Sequence, residues 1–199
     1  ICSVILLSAV NTLGSDAVAS VTAASKISMF IVCPFDSMGA TMATYGGQNA
    51  GGYKLDRLHK GLGSCIILGA VYSVIGLLII AAFGPHLLKL FVSGSETGIL
   101  ADAQHFLLIN GLFYFPLALV NIVRFMIQGM GFGFFAIIAG VLEMAARTLV
   151  GAVFVPIFGY NAACFASPLA WIFADCFLIP AYFVVWNRMK RHREAYRQV

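Results

Sequence analysis

Five charged residues stand inside long apolar runs of this sequence: Lys26, Asp36, Glu143, Arg147 and Asp175. Their types and spacing are the main place to look for chemistry. Glu143 and Arg147 are spaced i, i+4, which puts them on one helix face with the acid first, the favourable order for a pair. At the rise of an α-helix, Glu143 lies about 14 Å into its helix, and Asp175 is similarly deep in the last one. In a bilayer each such charge costs at least about 2.5–3.5 kcal/mol at the midplane, so each must face a partner or a water-filled cavity. The chemistry open to them is proton or cation uptake, or ligand binding, within a membrane. A structural ion pair joining two helices accounts equally well for Glu143 and Arg147. Lys26 lies two turns or more from its helix end, within reach of snorkelling. Asp36 follows Pro34, whose ring frees a backbone carbonyl. A carboxylate beside a freed carbonyl makes a cation or proton site, and a kink carrying a hydrated Asp near the cytoplasmic end is the simpler reading.

Other chemistries find no support in the residues. Gly129-Met130-Gly131-Phe132-Gly133 is not GxGxxG and follows a helix rather than a strand, so no dinucleotide site is indicated. No Walker A sequence is present, and no Ser, His and acidic set stands out as a triad. Cys2, Cys33, Cys65, Cys164 and Cys176 are scattered singly without CxxC spacing and read as small buried hydrophobes. His59, His86, His105 and His192 have no metal-ligand spacing and read as helix-end or surface residues, so neither metal nor cofactor is expected.

The elements that must position these charges follow from composition. Hydrophobic residues make up 61% of the 199 and charged ones 10%, and mean hydropathy is +0.94. A soluble domain needs about a quarter of its residues charged, so this surface faces lipid. The expected fold is all-α, a polytopic transmembrane bundle forming one lobe over residues 1–187. Its spans are placed at about 1–13, 17–45, 61–83, 103–128, 134–158 and 162–186. Breaks fall at Gly14-Ser15-Asp16, the glycine-rich segment after Tyr45, Gly84-Pro85, Ser93-Gly94-Ser95, Gly129 to Gly133, and Gly159-Tyr160-Asn161. The first run begins at Ile1 and is too short to span, with no signal-peptide pattern. The chain is therefore read as the C-terminal part of a longer protein.

Charge supplies an orientation. If the link from Lys54 to Lys60 is cytoplasmic, the same side collects Lys54, Arg57, Lys60, Arg124, Arg188, Lys190, Arg191, Arg193 and Arg197, nine of the twelve Lys and Arg residues. The opposite loops hold Lys89 with Asp16, Glu96 and Asp102. This is the positive-inside asymmetry of short loops. The basic tail, residues 188–199, would meet anionic lipid headgroups rather than nucleic acid.

Several ordered motifs then carry a resemblance. They are Asn11 with Gly14; Gly47-Gln48-Asn49-Ala50-Gly51 before Lys54-Leu55-Asp56-Arg57; Leu90-Phe91-Val92; and Gln128-Gly129-Met130-Gly131. Glu143 with Arg147, Gly159-Tyr160 and Pro168-Leu169-Ala170-Trp171 complete the set. In this order and spacing the chain resembles the C-terminal lobe of the multidrug and toxic compound extrusion (MATE) family, with Gly52 where the family's usual Ala stands. The resemblance implies a transporter of two six-helix lobes, this chain supplying helices seven to twelve and the N-terminal lobe being its missing partner. It implies efflux of small organic, often cationic compounds by Na⁺ or H⁺ antiport with alternating access. It also implies a bacterial, multi-pass plasma-membrane protein with a cytoplasmic C-terminus, and no enzyme activity. Several members carry the coupling carboxylate in the N-lobe, so coupling need not reside here. Within this lobe Glu143, Arg147, Lys26 and Asp175 are expected to form a polar patch, with Asp36 a further candidate. Asn11, Gln48, Asn49, Gly51, Gly129 and Gly131 are expected to be structural, Gln48 and Asn49 capping carbonyls or stitching helices. A lipid-linked sugar flippase of the same superfamily and a membrane-embedded enzyme are the alternatives.

Overall fold

Backbone polar groups in hydrocarbon have to be satisfied within their own segment, which favours helices as the means of crossing it. In the computed structural model, which describes residues 2–92 and 96–197, the chain is all-α, and no strand occurs among the described residues. The order is α1 (Cys2–Asn11), α2 (Ser15–Gly51), α3 (Leu55–Leu88), α4 (Thr97–Leu112), α5 (Tyr114–Gly129) and α6 (Gly133–Leu149). A π-helical turn (Val150–Phe154) joins α6 to α7 (Val155–Phe158), and α8 (Tyr160–Arg197) closes the chain. Among the described residues four segments are long and apolar enough to cross a membrane: Ser15–Gly51, Leu55–Leu88, Gly133–Phe158 and Tyr160–Arg191. The bent pair α4–α5 makes a fifth.

The outer face is apolar. Ile67, Leu68, Val71, Val74, Ile75 and Leu78 of α3 are exposed along one side, as are Phe134, Ile137 and Val141 of α6. Such a surface is the natural partner of lipid tails. Inside, α2 packs closely on α5, and small residues set the distance. A Cβ added at Gly129 would lie 2.1 Å from the Ala43 carbonyl oxygen, so only glycine lets these two helices approach so closely. Gly131 has φ of 93°, which turns the chain from α5 into α6.

The structure departs from the sequence reading at three places. The helix placed at 103–128 is broken: α4 and α5 meet at Phe113 with a bend of 52°. Pro116 supplies the cause, because it has no N–H for the Leu112 carbonyl and its ring crowds that turn. The break expected at Gly84-Pro85 is absent, since α3 runs through both residues to Leu88. There the Gln104 amide of α4 donates to the Ile80 carbonyl at 3.1 Å, bracing the turn before the proline. The last helix does not end at 186; its backbone stays helical through Arg197. The expected turn at Ser93-Gly94-Ser95 lies outside the described residues.

The basic helix ends share one end of the bundle. His59 of α3 packs on Trp186 of α8 with ring centroids 5.0 Å apart, and its Nδ1 is 3.2 Å from the Tyr182 hydroxyl. Arg188 sits over the ring of Phe132, at the α5–α6 turn, at 5.6 Å.

Candidate functional site: a buried charge cluster beside a cavity

Three helices bring four charges together. Arg124 of α5 donates from Nη2 to Oε1 of Glu143 on α6. Arg147, one turn along α6, places Nη2 3.5 Å from Oε2 of the same carboxylate. Asp175 of α8 is the fourth charge, and it interacts electrostatically with Arg124. Glu143 is 8% exposed and Asp175 7%. One carboxylate thus takes a guanidinium on each oxygen, while Asp175 Oδ1, Arg124 Nε and Arg147 Nε have no hydrogen-bond partner in the protein. Buried groups in that condition hold a large desolvation cost and respond strongly to any proton, ion or ligand that reaches them.

Helix geometry explains how these residues meet. Counting from the α5–α6 turn, Arg124 starts about 7.5 Å deep, Glu143 about 15 Å and Arg147 about 21 Å. The long Arg124 side chain spans the difference and lays its charge at Glu143. Its place near a helix end predicts Arg124 at the basic interface, and the structure corrects this: it is a half-buried member of the cluster. The signal for it is its setting among Ile122, Val123, Phe125, Met126 and Ile127, where an unpaired charge is costly.

Arg147 also borders a cavity of about 410 Å³. Ser25 and Ser28 of α2, Asn110 and Tyr114 at the α4–α5 break, and Ser167 and Trp171 of α8 share its wall. The 52° bend brings Asn110 and Tyr114 to this space. Asn110 donates to its own-turn Phe106 carbonyl at 2.9 Å and reaches the Cys164 carbonyl of α8 at 3.5 Å, fastening the broken helix to its neighbour.

The other expected residues sit elsewhere. Lys26 is exposed, with Nζ 5.5 Å from the ring centre of Phe91, and it borders a separate opening of about 540 Å³ together with Asn11, Gly14 and Glu96. It does not join Glu143. Asp36 is exposed and accepts a hydrogen bond from Asn121 Nδ2 at 3.2 Å, in neither the cluster nor the cavity. The Tyr72 hydroxyl donates to the Ile31 carbonyl at 3.0 Å, and α2 stays helical past Pro34. Of the motif residues, Asn49 donates to the Tyr45 carbonyl at 2.9 Å, and the Gln48 carbonyl takes the Gly52 N–H at 3.2 Å. Gly51 has open space around it. Among the described residues no three His, Cys, Asp or Glu side chains are grouped to hold a metal ion.

A lipid-facing helical bundle with a broken span, a mid-depth charge cluster and an internal cavity is the architecture of a polytopic transport protein. A family model described as MatE matches residues 1–157. The chain belongs to the MatE family, whose members are transporters of the membrane. Solved structures agree on the fold. One is a multidrug resistance MATE family transporter of the MOP superfamily in its outward-facing conformation, with TM-score 0.84 and 20% identity over 96% of this chain and 42% of that one. An inward-facing conformation of such a transporter gives 0.77 and 19%, covering 96% and 44%. A MOP superfamily transporter from Pyrococcus furiosus, described as having a binding pocket of reversed polarity, gives 0.78 and 18%, covering 92% and 40%. The chain thus spans less than half the length of these structures. No curated protein sequence matches it.

Proposed function

We propose that this chain is the C-terminal lobe of a secondary transporter that exports organic compounds across the plasma membrane by Na⁺ or H⁺ antiport. A second lobe, the N-terminal half of the same transporter, completes the central pathway, and the two lobes rock to give alternating access. The basic end of the bundle faces the cytoplasm, as the positive-inside rule directs, and the C-terminus lies there, in a bacterial cell. The observation that carries the reading is the Arg124–Glu143–Arg147 cluster beside a cavity at mid-depth. Charges so placed are costly, and a role in moving ions or substrate accounts for their position.

In this mechanism Glu143 is the group whose pairing can change. Protonation or cation binding weakens its hold on two arginines on two helices. That alters how α5 and α6 pack, and α8 follows through Asp175. A ligand that prefers one arrangement then biases the lobe toward it. Lys26 and Asp36 stand outside this exchange. The test is efflux of a panel of fluorescent organic compounds from cells producing the full-length transporter, with and without ionophores that dissipate H⁺ or Na⁺ gradients. Extrusion that stops with one ionophore supports the proposal and identifies the ion. Extrusion indifferent to both, or none for any compound, counts against it.

A further inference from the structure

The polarity of the cavity wall points to a narrower class of cargo. Among the described residues the wall contains one charged side chain, and it is a cation, Arg147. Its counter-ion is shared: Glu143 gives Oε1 to Arg124 and Oε2 to Arg147. Asp175, the remaining acid, is not part of the wall and its field falls on Arg124. Arg147 keeps an Nε–H without a partner. Around it the wall offers the hydroxyls of Thr22, Ser25, Ser28, Ser167 and Tyr114, all able to donate. No carboxylate in the wall is placed to receive an ammonium group. The remainder is apolar, including Val21, Val32, Phe106 and Trp171.

We propose that this cavity binds amphipathic organic anions, with a carboxylate or sulfonate head on Arg147 and an aromatic or hydrocarbon body against Phe106 and Trp171. This rests on the export reading and narrows it, away from the organic cations that the sequence resemblance implied. A guanidinium offers a planar fork that matches a carboxylate or sulfonate, and its affinity is raised by the low dielectric around it. An organic cation entering the same space would meet the Arg147 guanidinium with no carboxylate in the wall to receive it. The cavity of about 410 Å³ accommodates a two-ring compound. Binding would also compete for Arg147 with Glu143, which connects cargo occupancy to the cluster.

The experiment is equilibrium binding of three isosteric probes to the purified full-length transporter in detergent: 1-naphthoate, 1-naphthamide and 1-naphthylmethylammonium. No gradient is applied, so binding is read independently of transport. The expected order is naphthoate tightest and the ammonium probe at least about tenfold weaker. Arg147→Gln removes that preference, while Arg147→Lys retains part of it. The double variant Glu143→Gln/Arg147→Gln removes one charge of each sign and leaves Arg124 with Asp175, so it reports the loss of preference even if the single variant fails to fold. Tighter binding of the ammonium probe, no binding of naphthoate, or naphthoate binding unchanged in the double variant would each overturn the inference. Gradient-driven export, measured separately in proteoliposomes, distinguishes that failure from failure of the export reading itself.

Discussion

Arg124 of α5 and Glu143 of α6 are hydrogen-bonded across the interior of the bundle, although their helices run antiparallel and the residues differ in depth by about 7.5 Å. The length of the arginine side chain closes that gap. The same carboxylate also holds Arg147, so one acid fastens two cations and, through them, the positions of α5 and α6. From this relationship follow the expected consequences of changing it.

Removing Glu143 should be far more damaging than removing the whole cluster. Glu143→Ala leaves two buried guanidiniums without their carboxylate, and breaking such a pair costs about 3–5 kcal/mol. Replacing Arg124 and Arg147 with methionine and Asp175 with asparagine as well should recover much of that loss. Thermal unfolding of the full-length variants in detergent measures it. A quadruple variant no more stable than Glu143→Ala would show that the arginines do not depend on that acid.

Two glycines from different sequence motifs should behave differently. Gly129→Ala drives a methyl into the Ala43 carbonyl and should destabilise the α2–α5 contact by about 1–3 kcal/mol. Gly51→Ala meets nothing within 4 Å and should change stability by less than about 0.5 kcal/mol. Melting temperatures of the two variants, measured side by side, decide this. Equal effects would mean that the close approach at Gly129 is not what holds that residue.

Lys26 borders a different opening from Arg147 and does not touch the cluster, so Lys26→Met should leave export within about twofold of the unaltered protein. Initial efflux rates in cells check this directly. A loss as deep as that of a Glu143 variant would place Lys26 on the transport pathway after all.

Composition made the all-α membrane architecture legible, because a chain with so few charges cannot cover a water-facing surface. The Glu143–Arg147 pair was legible for a similar reason, since i, i+4 spacing fixes a shared face before any tertiary structure is known. Arg124 was not, because its partner lies on another helix and its position near a helix end matched a loop charge. The bend at Phe113 has no charged break to mark it, because hydrophobic residues continue on both sides of Pro116 from Leu112 to Val120. Pro85 misled in the opposite direction. Beside glycine it looked like a stop, and the Gln104 amide braces the turn just before it instead. Lys26 and Asp36 are charges set in apolar runs just as the true cluster members are, and sequence carries no direct record of which faces of different helices meet.

The central claim is that an ion gradient drives export through the buried cluster of this lobe. Its most direct test is gradient-driven accumulation of the naphthyl probes by proteoliposomes containing the full-length transporter or its Glu143→Gln variant. The account predicts accumulation that disappears when the gradient is dissipated and falls more than about tenfold in the variant. Accumulation by Glu143→Gln at the unaltered rate, with its ion dependence intact, would contradict it.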